Sequence, residues 1–379
     1  MDVNNIKNGD IEIIFVDTDE KLLLLCQKLK QKSEFAFDTE FDRFWREYGF
    51  KLFLLQIFDG EKCYLVDPLA FKNLQPLWTI FEDPSICKVA YACTEDVQIL
   101  KINNCKPLNI FDLQVAAKLC NHPANSFSDL VSDIFNVTVD KSLQRSNWRT
   151  RPLNNAQQIY ASNDVIFLIK LKKDFLAKAI ETDVLNMLLE ENKCCEEVIV
   201  SEYVVKITPK QKSTFGAYKQ QVLLNLFHIR NEIASAYNMP PANIVTDSTL
   251  ENIVENNKIF LVQPFKNGFC SRLVDDEANK EKFITAIESI DETIHITPER
   301  KERKPNNRRQ FREDTKEDVD INCKKINKTV AEKYGIIAAE YILRGLKKSI
   351  LIQPYNEIKL RDYQHKVIDE TCASLNIIL

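Results

Sequence analysis

Three short stretches carry residues whose types and spacing could do chemistry together: FAFDTEF (Phe35–Phe41), KVAYACTEDVQIL (Lys88–Leu100) and IYASNDVIFL (Ile159–Leu168). Strand side chains alternate between faces, so Asp38 and Glu40 share one face while Phe37, Thr39 and Phe41 take the other. Two carboxylates on one face repel unless a cation sits between them, and hard divalent cations prefer carboxylate oxygens. Asp96 opens a later helix, where a carboxylate can simply cap free backbone N–H groups. Tyr160 and Asp164 lie four residues apart and share a helix face, which is an ordinary arrangement by itself. The joint pattern is less ordinary. Carboxylates from Asp38, Glu40, Asp96 and Asp164 at one site suit two divalent cations roughly 3.5–4 Å apart, which clamp the attacking and leaving oxygens of a phosphodiester. Tyr160 would then hold and orient the attacking water.

The elements around these residues follow from local signals. Asp17 and Glu20 have capping-box spacing ahead of a helix carrying Leu22 to Leu29. Strands are expected at 35–41, 52–58 and 62–67, the last two joined by Asp59-Gly60 in an antiparallel meander. A helix over 69–81, a short strand at 88–91, the Asp96 helix, a strand at 108–111 and a helix over 112–120 come next. Ser126 and Asp129 cap a helix through Phe135, and the polar loop DKSLQRSNWRTRPL (Asp140–Leu153) runs into a long helix capped near Asn154 or Asn155. Strands first, then strands alternating with helices, indicate an α/β sandwich on a mixed sheet. Beyond about residue 180 the pattern is helical, with Ser248 and Glu251 as a capping box after the MPPANIV break. The charged stretch 298–320 reads as a linker, and the two helical blocks around it could be diverged copies of one small domain.

Composition narrows the class. With 379 residues, 45% apolar and 28% charged, the chain has room for two or three globular cores. A net charge of −4 provides no chain-wide basic field, so nucleic-acid contact would need local patches and metal ions. No long apolar run and no charged-then-apolar start occur, so a cytoplasmic protein with no membrane segment is expected. The 11 cysteines lack Cys-x-x-Cys spacing and read as reduced core residues.

At the three motifs the chain resembles the ribonuclease D family, among exonucleases with four acidic residues and a tyrosine. FAFDTEF matches the first family motif, KVAYACTEDVQIL the second and IYASNDVIFL the third. NIFDLQVAAKL (Asn109–Leu119) and DKSLQRSNWRTRPL are similar to family segments around the substrate groove. Tyrosine at 160 argues against the histidine branch that includes the oligoribonucleases, and Tyr91 stands where many relatives have histidine. The resemblance implies a ribonuclease H-like α/β exonuclease domain with a mixed central sheet over 1–205. It implies catalytic Asp38, Glu40, Asp96, Tyr160 and Asp164, the four acids binding two Mg²⁺ or Mn²⁺ ions, and substrate contacts from Thr39, Gln56, Asp112, Trp148 and Arg151. LFHIRNEIASAYNMPPANIVTDSTLENIV resembles the all-α domain that RecQ-type helicases share with ribonuclease D, here called HRDC-like and expected over 206–295. A charged linker at 296–321 and a degenerate second copy at 322–379 complete the expected layout.

The function implied is removal of nucleotides from RNA 3′ ends, releasing 5′-monophosphates, on transfer RNA precursors and structured RNA with 3′ trailers, by a monomer. Two alternatives are a DNA exonuclease of the Werner-helicase kind and a non-catalytic RNA-binding scaffold. A fragment ending near residue 205 is expected to fold and keep hydrolysis. The helical half is expected to add basic surface through Lys210, Lys212, Lys219 and Arg230.

Overall fold

A computed structural model of the chain describes residues 11–44, 46–200, 205–256, 276–288, 316–344, 358 and 360–377. Its centre is a mixed six-stranded sheet built from β1 (Ile13–Val16), β2 (Glu34–Arg43), β3 (Phe50–Phe58), β4 (Cys63–Val66), β5 (Cys87–Ala90) and β6 (Ile110–Asp112), in the order β1-β4-β3-β2-β5-β6. β1 pairs parallel to β4, β4 antiparallel to β3, and β2, β5 and β6 run parallel. The mixed sheet expected from the sequence is present, with β1 as an additional edge strand.

Between the strands lie α1 (Asp19–Leu29), α2 (Gln75–Phe81), α3 (Thr94–Ile102), α4 (Leu113–Leu119) and α5 (Phe127–Phe135). A run of α6 (Asn155–Ile166), α7 (Leu168–Glu181) and α8 (Leu185–Glu196) follows. Ser126 caps α5 and Asn154 closes a capping box with Gln157, as their spacing suggested. α1 is capped instead by Thr18, because Asp17 is engaged by Lys21 at 2.7 Å. Phe35 and Phe37 pack edge-on against Phe81 of α2, whereas Ala36 joins the apolar cluster that contains Val165 and Leu168. The alternation along β2 is thus realised, and it continues outward to Asp38 and Glu40.

The chain divides into two compact units. The first holds the residues up to Glu40, Leu52–Val200 and the chain from Phe311 onward, and the second holds Phe41–Lys51 and the 201–310 segment. The second unit comprises α9 (Pro209–Thr214), α10 (Ala217–Ala236), α11 (Pro241–Ile244), α12 (Asp247–Asn256) and α13 (Glu277–Glu288). Leu223, Leu226, Phe227, Ile253 and Phe283 form a core of its own. The hairpin 41–51 belongs here, since Tyr48 donates to Asn231 at 3.0 Å and packs on that core. Thr246, not Ser248, accepts the N–H of Thr249 at the start of α12, while Glu251 accepts from Gln211. Arg230 is 5% exposed and donates to Val245 O and Asp247, so it is an internal tie and not part of a basic surface.

The last block, α14 (Lys316–Tyr334), α15 (Ile336–Ile342) and α16 (Asp362–Ser374), falls in the first unit rather than forming a unit of its own. Ile326, Val330, Ile342, Val367 and Ile368 are buried in one cluster with Ala116, Leu119 and Phe175. Residues 316–321 of the expected linker already belong to α14, and the rest of that stretch lies outside the described residues. A charged segment is compatible with a helix when one apolar stripe, here Cys323, Ile326 and Val330, is buried.

Candidate active site

β2 carries the first two acids around its middle, and α6 brings Asp164 against them. Ligand oxygens of Asp38, Glu40 and Asp164 all lie within 4.8 Å of one another, and all three residues are half-buried. Burial, followed by Asp96, Asp164 and Glu40, pushes the Asp38 carboxyl well above the usual range. Burial and then Asp164 do the same to Glu40. Asp164 is pushed up to about 7 by burial and then by Asp96. Such a group resists full ionisation by itself and is relieved by a cation, and its all-oxygen donor set fits a hard divalent ion.

Asp96 stands beside this trio in the first turn of α3. Its Oδ1 accepts from the Thr39 hydroxyl, and burial, partly offset by that bond, raises it to about 6. Thr39 is 6% exposed and its hydroxyl is engaged with Asp96, which makes it a support for that acid. Tyr160, one turn before Asp164, tilts against Trp148 with ring centroids 5.7 Å apart. Burial first, then Asp164 and the two β2 acids, raise its hydroxyl above its usual range, so it stays protonated and able to donate.

A cavity of about 360 Å³ opens next to Tyr160 and Asp164, lined also by Tyr91, Gln114, Phe127 and Lys141. The loop 140–153 contributes Asp140, Lys141 and Gln144 to it, but not Trp148 or Arg151. Trp148 is 3% exposed. Arg151 is spent internally: it grips Asp67 through Nε and Nη2 at 2.6 Å each and donates to the carbonyls of Phe53 and Trp148. Asp112 likewise is buried and accepts from the N–H groups of Ala92, Cys93 and Gln114. Arg151 and Asp112 are thus tied within the chain, and Trp148 is buried with its indole N–H unpartnered. Gln56 is fully buried with both amide atoms unpartnered, so it is also sealed from a substrate as the chain stands. Gln114 and Lys141 lie within the NIFDLQVAAKL and DKSL segments, yet nothing local marks them as the cavity-facing members.

Cys93, Asp112 and Cys195 also bring potential ligand atoms within 4.8 Å of one another. Three backbone N–H groups already occupy the Asp112 oxygens, and the Cys93 thiol is a further donor to Oδ2 at 3.6 Å, so the Asp112 carboxylate is engaged within the chain.

Comparison with known proteins agrees with this geometry. A family model described as 3′-5′ exonuclease matches residues 13–180. Ribonuclease D of Escherichia coli (strain K12) is 38% identical over 158 residues, covering 41% of this chain and 42% of that protein. Ribonuclease D of Shewanella sp. (strain ANA-3) is 34% identical over 181 residues, covering 47% and 46%. The chain thus spans under half the length of the curated relatives it matches. The crystal structure of Escherichia coli RNase D, described as an exoribonuclease involved in structured RNA processing, superposes with a TM-score of 0.67. It does so at 22% identity over 96% of this chain and 98% of that one, which extends the shared fold into the helical part. Among the described residues, no helix is long and apolar enough to cross a membrane.

Proposed function

We propose that this chain is a metal-dependent 3′-5′ exoribonuclease of the ribonuclease D kind, acting on transfer RNA precursors and other structured RNA with 3′ trailers. The observation that carries the reading is the convergence of Asp38, Glu40 and Asp164 within 4.8 Å, one helical turn from Tyr160. The ribonuclease D relatives of the exonuclease domain support RNA as the substrate.

Asp38, Glu40, Asp96 and Asp164 would hold two Mg²⁺ or Mn²⁺ ions, which supply charge stabilisation to the attacking and leaving oxygens of the phosphodiester. Asp96, anchored by Thr39, keeps its carboxylate at the edge of the trio. Tyr160 presents a protonated hydroxyl beside Asp164 and orients the attacking water, a role that removes no ligand when the hydroxyl is lost. The cavity past Tyr160 gives the terminal nucleotide a place against Tyr91 and Phe127. The second unit, with exposed Lys210 and Lys212, adds phosphate contacts for structured RNA. The protein would work as a monomer in the cytoplasm.

The test uses the purified chain with matched single-stranded RNA and DNA of one sequence, 5′-labelled, with Mg²⁺, Mn²⁺ or chelator. Stepwise shortening of RNA from a free 3′ hydroxyl, absent with chelator, is expected. Preferential shortening of DNA would reassign the substrate, and intact oligomers under all conditions would leave a binding scaffold.

A further inference from the structure

Asp96 reaches the site from a helix whose first turn is set by a strained corner. Ala92, just before α3, has φ 55°, a left-handed conformation that is disfavoured for a residue with a Cβ. Asp112 holds that corner: its carboxylate accepts from Ala92 N–H at 2.9 Å and from Cys93 N–H at 3.1 Å. It also accepts from Gln114 N–H at 2.8 Å as the cap of α4. The Asp112 backbone N–H donates in turn to Asn192 Oδ1 on α8 at 3.1 Å. Asn192 is 4% exposed, so water does not replace this partner easily.

The preceding residue along α8 faces the other way. Glu191, 3% exposed, accepts from Arg344 and Arg361 at 2.6 Å each, from Tyr363 at 2.7 Å and from Tyr341 at 3.3 Å. All four donors come from the chain beyond 316. A buried carboxylate with two guanidinium and two hydroxyl donors is held firmly, because a charge withdrawn from water is stable only while its partners stay in place. One turn of α8 therefore joins the C-terminal helices, through Glu191, to the corner that starts α3, through Asn192 and Asp112.

We propose that Asp112 and Asn192 are positioning residues for Asp96, and that the C-terminal helices act on the site through Glu191 on the same turn of α8. The inference rests on Asp96 being a cation ligand. Groups that orient a ligand without touching the metal commonly change its affinity 10–100-fold when replaced.

The test uses the full chain carrying Asp112→Asn, Asn192→Ala or Glu191→Gln. Mn²⁺ affinity is measured without RNA, and deuterium uptake is followed at the amides of 92–97 without metal. Asp112→Asn should weaken Mn²⁺ by about 10–100-fold and speed exchange at 92–97. Asn192→Ala, which changes no charge, should act in the same direction and so separates positioning from the electrostatic effect of removing a nearby carboxylate. Glu191→Gln should speed exchange both at 92–97 and in α16. If Glu191→Gln fails to fold, Asn192→Ala still decides. Mn²⁺ affinity within about twofold of wild type for Asp112→Asn and Asn192→Ala, or faster exchange spread evenly over the domain, would overturn the proposal. Neither readout needs RNA, so a wild type that binds Mn²⁺ but leaves RNA intact would sink the nuclease reading alone.

Discussion

The two helical blocks that follow residue 200 both carry helical apolar spacing in sequence and differ in what they bury. The 205–288 block closes around its own core of Leu223, Leu226, Phe227 and Phe283. Among the described residues the 316–377 block forms no separate core: Ile326, Val330, Ile342 and Ile368 enter the cluster that also holds Ala116, Leu119 and Phe175. Amphipathic spacing shows that a helix has a buried face but not which element covers it. The difference lies instead in long-range partners, such as the four donors gathered on Glu191. One block belongs to a unit with a core of its own, and the other is part of the unit that holds the sheet.

The largest effect expected from this contrast concerns deletion. Removing residues 316–379 uncovers the apolar cluster and strips Glu191 of its four donors. Each large apolar side chain withdrawn is worth roughly 1.5–3 kcal/mol. Ile326, Val330, Ile342, Val367 and Ile368 together match the whole stability of a typical domain, roughly 5–15 kcal/mol. The shortened chain should lose its cooperative melt. Replacing 205–310 by a long flexible linker should leave the first unit melting cooperatively. By the same reasoning a fragment ending near 205 should not fold, against the expectation from sequence; calorimetry on both deletions decides, and equal behaviour would erase the distinction.

Two glycines sharpen it at the level of one residue. Gly335, which opens α15, has φ +91°, and an added Cβ would lie 2.2 Å from Asn121, whose side chain accepts from Ile337 N–H. Gly335→Ala should cost about 2 kcal/mol or more in denaturant unfolding, through left-handed strain plus displacement of Asn121. Gly216, which opens α10, has nothing within 4 Å and no positive φ. Gly216→Ala should stay within about 1 kcal/mol. Similar costs at the two positions would show that the C-terminal block is not held where Asn121 meets it.

A smaller effect is expected on the appendage surface. Lys210→Ala with Lys212→Ala should leave melting unchanged, weaken binding to structured RNA and lower the salt dependence by about one unit of slope per lost phosphate contact. Unchanged binding across a salt titration would remove these lysines from the interface.

The smallest effect is the pH dependence of the metal-free protein. Asp38, Glu40, Asp96 and Asp164 all hold protons more tightly folded than unfolded, with Asp96 at about 6 and Asp164 at about 7. The folded state therefore binds more protons between about pH 4 and 7, and the stability these groups contribute falls as pH rises through that window. Asp164→Asn should flatten the fall in Tm between about pH 5.5 and 8, measured with chelator present. Parallel curves for mutant and wild type would show that Asp164 is not one of the repelling group.

How far the sequence could be read depended on the range of each interaction. The Tyr160-x-x-x-Asp164 spacing, the alternation along β2 and the caps at Ser126 and Asn154 are local and were legible. β1 was missed because four residues before a helix gain strand character only by pairing with Cys63–Val66. The expected helix at 69–81 starts later, at Gln75, with Pro76 in its first turn. Trp148, Arg151 and Asp112 carry polar groups that look suited to a substrate. Arg151 meets Asp67 84 residues away, and Asp112 meets Ala92 20 residues away, which no local pattern reveals.

The most direct test of the site is single-turnover hydrolysis of a 5′-labelled RNA by Asp38→Asn beside wild type, in saturating Mn²⁺. Asp38 lies within 4.8 Å of two other carboxylates, and its replacement removes a charged ligand while keeping its size. Wild type should give a ladder that shortens from the 3′ end, and the mutant should be slower by roughly 10³-fold or more while keeping its melting temperature. A folded mutant that trims RNA within about tenfold of the wild-type rate would contradict the assignment of these carboxylates to catalysis.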